Sequence, residues 1–179
     1  MKRKKYKVGM YGGKFMPFHK GHLYCIEQAA KQCEKLYVIL FHGGDQEIKI
    51  LKDRPNEKFL TFEDRIKHVK EGCKHVKNAI VIEIDVTNCK NPDGTENWDM
   101  ETPLVLEACG KLDAVFGSEP DYGDYFKKAY PDAEYVIIDT DRKTIPISAT
   151  MIRSMDEEER KKWIVTGIRD AEDRIYGTK

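Results

Sequence analysis

His19 and His22 stand three residues apart in the run Gly12-Gly13-Lys14-Phe15-Met16-Pro17-Phe18-His19-Lys20-Gly21-His22. At the opening of a helix that spacing turns both imidazoles the same way. Loop amides and a helix N-terminus beside them would suit a polyphosphate. A pair three apart also suits a metal, but zinc wants a third protein ligand and no spacing in the chain nominates one, so no metal ligand is assigned to the protein. Neither Gly13-Lys14 nor Gly110-Lys111 completes a Walker A element, because Phe15 and Leu112 occupy the place of Ser or Thr. No Gly-x-Gly-x-x-Gly occurs.

A second element is Ile147-Ser148-Ala149-Thr150-Met151-Ile152-Arg153. Two hydroxyls and a guanidinium at a helix start suit the far end of a triphosphate. Taken alone, Ser148 reads equally well as a plain N-cap. Trp98 offers an indole face to a flat cation, with a packing role as the alternative. Tyr122 and Tyr125 read first as packing residues.

These residues need a frame. Tyr6–Tyr11 and Leu36–Phe41 are apolar runs followed by Gly12-Gly13 and Gly43-Gly44, and both predict buried strands. Leu23, Ile26, Ala29, Ala30 and Cys33 recur between them at helical spacing, which makes a βαβ unit. Helices are expected over Phe62–Cys73 and around Pro103–Cys109, and strands over Ala79–Val86, Ala114–Phe116 and Glu134–Ile138. The alternation predicts an α/β fold, a Rossmann-like doubly wound parallel sheet of about five strands with flanking helices. Loops after the first, fourth and fifth strands should hold the site. The whole of 1–179 reads as a single domain, with a solvated helical tail from about Asp156 whose opposite charges pair along the helix.

The chain has 179 residues, with 31 basic against 31 acidic side chains. That balance leaves no field to attract nucleic acid by counterion release, so nucleic acid is not expected as a partner. Hydrophobic residues at 40% suffice for one packed core. No apolar run approaches the ~20 residues that span a bilayer, so no membrane partner is expected and a cytoplasmic location is. Cys25, Cys33, Cys73, Cys89 and Cys109 are scattered and read as reduced, mostly buried thiols. The basic arm Lys2–Lys5 reads as a solubilising terminus. A homo-oligomer is left open.

His19-Lys20-Gly21-His22 with its preceding Gly-x-Phe-x-Pro frame, together with Ile147-Ser148-x-Thr150-x-x-Arg153, resembles the two signatures of the HxGH nucleotidylyltransferase superfamily. Gly13–Pro17, Asn97-Trp98-Asp99, Gly117-Ser118-Glu119-Pro120 and the Ser-Ala-Thr-x-Ile-Arg ending most resemble the NMN adenylyltransferase domain of NadR-type proteins. The similarity runs from about Val8 to Ile164. Full NadR-type proteins often add a DNA-binding module and a nucleoside kinase. Neither is expected in this chain, so repression and ribosylnicotinamide phosphorylation are not carried over.

The resemblance implies an enzyme that transfers AMP from ATP to nicotinamide mononucleotide (NMN), giving NAD and pyrophosphate. Positioning and charge stabilisation would do the work, because the nucleophile is already a phosphate oxygen. His19, His22, Lys14 and Arg153 would be catalytic. Gly12, Gly13, Phe15, Met16, Ser118, Arg142, Ile147, Ser148 and Thr150 would bind ATP, and Trp98 and Tyr122 would bind NMN. Mg²⁺ would be the cofactor, held through the substrate phosphates. Three alternatives stand beside this reading: a cytidylyltransferase using CTP, a phosphopantetheine adenylyltransferase, and a non-catalytic nucleotide sensor. Against the second, its usual loop has Thr where His19 stands.

Overall fold

A computed structural model describes residues 3–167. Five parallel strands form one sheet in the order β3-β2-β1-β4-β5: β1 Tyr6–Gly13, β2 Cys33–His42, β3 Ala79–Asp85, β4 Ala114–Gly117 and β5 Glu134–Ile137. The chain builds β1, β2 and β3 outward in one direction, then returns to lay β4 on the other side of β1. The switch point therefore falls between β1 and β4, where connections leave the carboxyl ends in opposite directions and open a crevice.

Alternation along β2 shows why the sheet is buried on both faces. Leu36, Val38 and Leu40 join α1 (Lys20–Gln32) and α3 (Phe62–Cys73) in one core layer, while Ile39 joins α4 (Glu101–Cys109) and the residues around α5 (Gly123–Ala129) in the other. Phe18, Ile26, Leu36 and Val105 are fully buried, each worth roughly 1.5–3 kcal/mol relative to exposure. All five cysteines are free and buried. No helix among the described residues is long and apolar enough to cross a membrane.

The structure differs from the sequence reading at several points. Gly12-Gly13 belongs to β1 and pairs with Ile39 and Leu40, so the turn begins only at Lys14. Cys33 opens β2 rather than ending α1. Helix α2 (Asp45–Asp53) was not anticipated; it carries Glu47 as its buried residue.

The tail also departs from expectation. Helix α7 spans only Glu157–Lys161, capped by Asp156. The chain then folds back onto the start of α1: Trp163 accepts from the Lys20 amide at 2.9 Å, and the Val165 amide donates to the Phe18 carbonyl at 3.1 Å. Ile164 and Val165 are buried, because they cover apolar surface that a purely solvated tail would leave wet. The rest of the expected tail lies outside the described residues. In the basic arm, Lys4 donates to the carbonyls of Ala30 and Lys31, both at 3.0 Å, near the C-terminal end of α1.

Candidate active site

A cavity of about 450 Å³ lies at the carboxyl ends of the strands, over the switch point. Every residue singled out for a site borders it, from Gly12, Gly13, Lys14, Phe15, Met16, His19 and His22 in the first element to Ile147, Ser148, Thr150 and Arg153 in the second, with Trp98, Ser118, Tyr122 and Arg142 between. The segments following β2 and β3 contribute as well, which the expectation of three loops omitted.

The imidazoles are more constrained than the spacing indicated. His19 is the N-cap of α1, and its Nδ1 accepts from the amides of Gly21 at 3.1 Å and His22 at 3.4 Å. The His22 Nδ1 in turn accepts from the His19 amide at 3.3 Å, closing a reciprocal capping box. Together with the Lys20 amide bound to Trp163, this occupies the first-turn donors of α1. The expected phosphate seat of helix amides is therefore corrected: those amides are spent on the protein itself.

What the arrangement leaves is better defined. A ring whose Nδ1 accepts a hydrogen bond must carry its proton on Nε2 when neutral. Burial first, and then the Arg142 charge, lower the His19 pKa to about 3; burial, His19 and Arg142 push His22 well down too. Both rings are thus neutral Nε2–H donors, stacked with centroids 3.6 Å apart. Phe15 meets His22 edge-on at 4.9 Å, and Phe15 and Met16 are buried in the cavity wall. Gly21 allows the close packing, since a Cβ there would sit 2.9 Å from His19 Cε1.

The second element forms helix α6 (Ala149–Arg153). Ser148 is its N-cap, accepting from the Met151 amide at 3.2 Å, which leaves its hydroxyl hydrogen to donate elsewhere. Arg153 donates to the Met16 carbonyl at 2.7 Å and to Thr150 Oγ1 at 3.1 Å. Ile147 is buried with Ile145, Ile152 and Ile164, which seats the helix. On the remaining side, Ser118 contacts Cys25 Sγ at 3.1 Å and Arg142 pairs with Glu119. Arg142 lies in a segment where Asp139, Asp141 and Arg142 all have positive φ, held by the Asp139 carboxylate accepting from the amides of Thr144 and Ile145. Each such residue costs on the order of 1 kcal/mol, strain that is placed at the cavity rim.

The opposite end has a different character. The Trp98 indole meets the rings of Tyr122 and Tyr125 edge-on, each at 5.3 Å, and Tyr125 donates to the Trp98 carbonyl at 2.8 Å. Glu96 accepts from the Gln46 amide at 3.1 Å, Trp98 Nε1 at 3.4 Å and Lys14 Nζ at 3.4 Å. Burial would raise this carboxyl, but those partners outweigh it and hold it below the usual range. Glu101 also borders the cavity, and burial followed by the Glu96 charge pushes it up to about 7.

Glu96, Glu101, Gln46 and the Glu47–Arg65 pair escaped the sequence reading. Arg65 is fully buried, pairs with Glu47 and donates to the Lys14 carbonyl at 2.7 Å, while Glu47 accepts from the Gly43 amide at 3.0 Å. One buried ion pair thereby ties the loops after β1 and β2 together. Glu47 on so short a helix gives no signal by itself, but an Arg on the apolar face of the periodic Phe62–Cys73 helix was a legible anomaly.

The cytidylyltransferase-like family model matches residues 10–155. The trifunctional NAD biosynthesis/regulator protein NadR of Escherichia coli (strain K12) is 26% identical over 157 residues, which cover 84% of this chain and 37% of that protein. The phosphopantetheine adenylyltransferase of Streptococcus gordonii is 37% identical over 126 residues, covering 62% of this chain and 71% of that protein. A crystal structure of a NadR protein in complex with NR superposes with a TM-score of 0.64 at 25% identity, over 90% of this chain and 44% of that one. The chain spans less than half the length of these NadR relatives.

Proposed function

From the premise that the chain belongs to the cytidylyltransferase-like family of nucleotidyltransferases, we propose that it transfers AMP from ATP to NMN, forming NAD and pyrophosphate. The observation that carries the choice of acceptor is the Trp98 end of the cavity. An indole flanked by tyrosines, with Glu96 and Glu101 alongside, suits a flat cation such as the pyridinium of NMN.

In this reading a phosphate oxygen of NMN attacks the α-phosphorus of ATP. The bond from that phosphorus to the bridging oxygen breaks, and pyrophosphate leaves with the electron pair. His19 and His22 donate through Nε2–H to oxygens that gain charge in the transition state, a role that needs no proton transfer. Lys14 screens the approach of the two phosphates. Ser148, Thr150 and Arg153 hold the departing β- and γ-phosphates, and Ser118 and Arg142 contact the adenosine side. Gly12 and Gly13 border the cavity with Phe41 and Phe15 packed where their Cβ atoms would stand, and ATP enters as its Mg²⁺ complex.

A second reading, phosphopantetheine as acceptor, is favoured by the identity to the Streptococcus gordonii enzyme. Its acceptor arm is long, flexible and uncharged, so it makes no use of the carboxylates beside Trp98. Incubation with Mg²⁺, each of ATP and CTP, and a panel of phosphorylated acceptors separates the readings by product chromatography. NAD from ATP and NMN is the expected product. Dephospho-coenzyme A in its place would establish the second reading; a CTP-only product would establish a cytidylyltransferase, and nucleotide binding without product a sensor.

A further inference from the structure

We propose that the returning segment Trp163–Val165 is a positioning element for the reaction: it fixes the backbone that carries His19 and His22 and ties it to helix α6, so that the imidazoles and Arg153 keep one spacing. The inference rests on the reading of those side chains as polyphosphate contacts and is independent of which acceptor is used.

Three adjacent residues reach both rims of the cavity. On the imidazole side, the Trp163 carbonyl accepts from the Lys20 amide at 2.9 Å, Ile164 pairs with His19 in an antiparallel bridge, and the Val165 amide donates to the Phe18 carbonyl at 3.1 Å. Phe18, His19 and Lys20 are each held through the backbone. Val165 and Phe18 also press on α3, where a Cβ on Gly72 would sit 2.8 Å from Val165 Cγ1 and 2.7 Å from Phe18 Cε1. The Phe18 ring lies parallel to that of His22 with centroids 5.9 Å apart, so a shift of Phe18 is passed to that imidazole. On the guanidinium side, Ile164 is packed with Ile145, Ile147 and Ile152, the cluster that seats α6. Arg160 anchors the segment between them. Its carbonyl accepts from the amides of Trp163 at 3.0 Å and Ile164 at 3.1 Å, while its guanidinium donates to the Met155 carbonyl at 2.9 Å and lies over the Phe59 ring. Donors aimed at a transition state lose their effect when displaced by about 1 Å, so this bracing has a kinetic consequence.

The test loosens the segment from each side. Lys20 opens α1, where proline is well tolerated, and His19 before it is extended at φ −137° and ψ 170°, as a residue preceding proline should be. Lys20→Pro therefore deletes the amide bonded to Trp163 and spares the helix, while Lys20→Ala keeps the amide and controls for the side chain. Ile164→Ala empties the seat against α6, and Ile164→Val largely refills it. Turnover is measured with MgATP and saturating NMN, or with whichever acceptor the panel identifies, well below each variant's melting temperature. Lys20→Pro and Ile164→Ala should each lower kcat by about tenfold or more with the KM for MgATP near native, and Lys20→Ala and Ile164→Val should stay within about threefold of native. Should Lys20→Pro fail to fold, the Ile164 pair decides alone. A native kcat in a folded Lys20→Pro or in Ile164→Ala, with only the melting temperature lowered, makes the segment purely structural and overturns the proposal. A loss shared equally by the two control variants overturns it as well. No product from the native protein with any acceptor overturns the reading of the site itself, and this inference with it.

Discussion

Arg153 donates to the carbonyl oxygen of Met16 at 2.7 Å, across a separation of 137 residues. That hydrogen bond joins the two chemistry-bearing segments into one cradle, with the stacked imidazoles on one rim and the guanidinium on the other. Arg153→Lys keeps the charge but loses the fork that reaches both Met16 and Thr150. We expect it to lower kcat/KM by about 10²-fold, nearly as much as Arg153→Ala, in keeping with the loss of one aimed donor. A lysine variant with near-native turnover would show that charge alone suffices.

His22→Ala should reduce kcat by about 10²-fold or more in a folded protein. His19 has a second duty as N-cap, so His19→Ala should also lower stability, by about 1 kcal/mol. His19→Asn restores a capping acceptor without an Nε2–H. Its melting temperature should return toward native while its turnover stays low. If asparagine rescued turnover, His19 would be a capping residue and nothing more.

Gly21→Ala tests the close packing of the pair. In an ordinary helix the change would stabilise by roughly 0.5–1 kcal/mol. Here the new methyl would press on the His19 ring, 2.9 Å from Cε1 and 3.0 Å from Nδ1. Turnover should fall at least tenfold, by about the penalty of a misplaced donor, with circular dichroism unchanged. Undiminished turnover would mean that the exact placement of the imidazole is unimportant.

Trp98→Ala should raise the KM for NMN and leave that for ATP nearly unchanged, because the indole contacts Glu96, Tyr122 and Tyr125 and makes no hydrogen bond to the Ser148–Arg153 element. Titration of each substrate separately by calorimetry reads the difference. Equal weakening of both would assign Trp98 to the packing of Tyr122 and Tyr125.

Two titrations act on stability with opposite signs. His19 has its pKa lowered to about 3 from 6.5, so below pH 6.5 the unfolded chain gains a proton that the folded one refuses, and stability falls with acidification. Glu101 is raised to about 7 from 4.5, so between those values the folded state holds a proton that the unfolded chain has lost, and stability falls as pH rises. Glu101→Gln removes the second effect. Its melting temperature should exceed the native value near pH 8 and converge on it near pH 5. A difference independent of pH would place the cause in packing rather than ionisation.

Much of the frame was legible in one dimension. The helix at Phe62–Cys73 has the predicted ends because Thr61 caps it, accepting from the Asp64 amide, and its apolar positions keep the helical period up to Cys73. The strands were found from their apolar runs, with errors confined to their ends, where Gly12 and Gly13 read as a turn yet pair in register with β2. Glycines there serve close approach, since a Cβ on Gly12 would sit 2.6 Å from Phe41 Cε2. Such a constraint comes from a neighbouring strand and leaves no local pattern.

By itself the sequence determined the alternation of strands and helices, the two segments bearing imidazole and guanidinium groups, and the indole between them, because side-chain chemistry and hydrophobic period are properties of short stretches of chain. Only the tertiary structure decided which ring nitrogens carry protons, where the first-turn amides of α1 spend their hydrogen bonds, and that Glu96 and Glu101 share a hollow with Trp98. Burial and hydrogen-bond partnership depend on residues far apart in the chain, and those meet only when the sheet brings their loops to one edge.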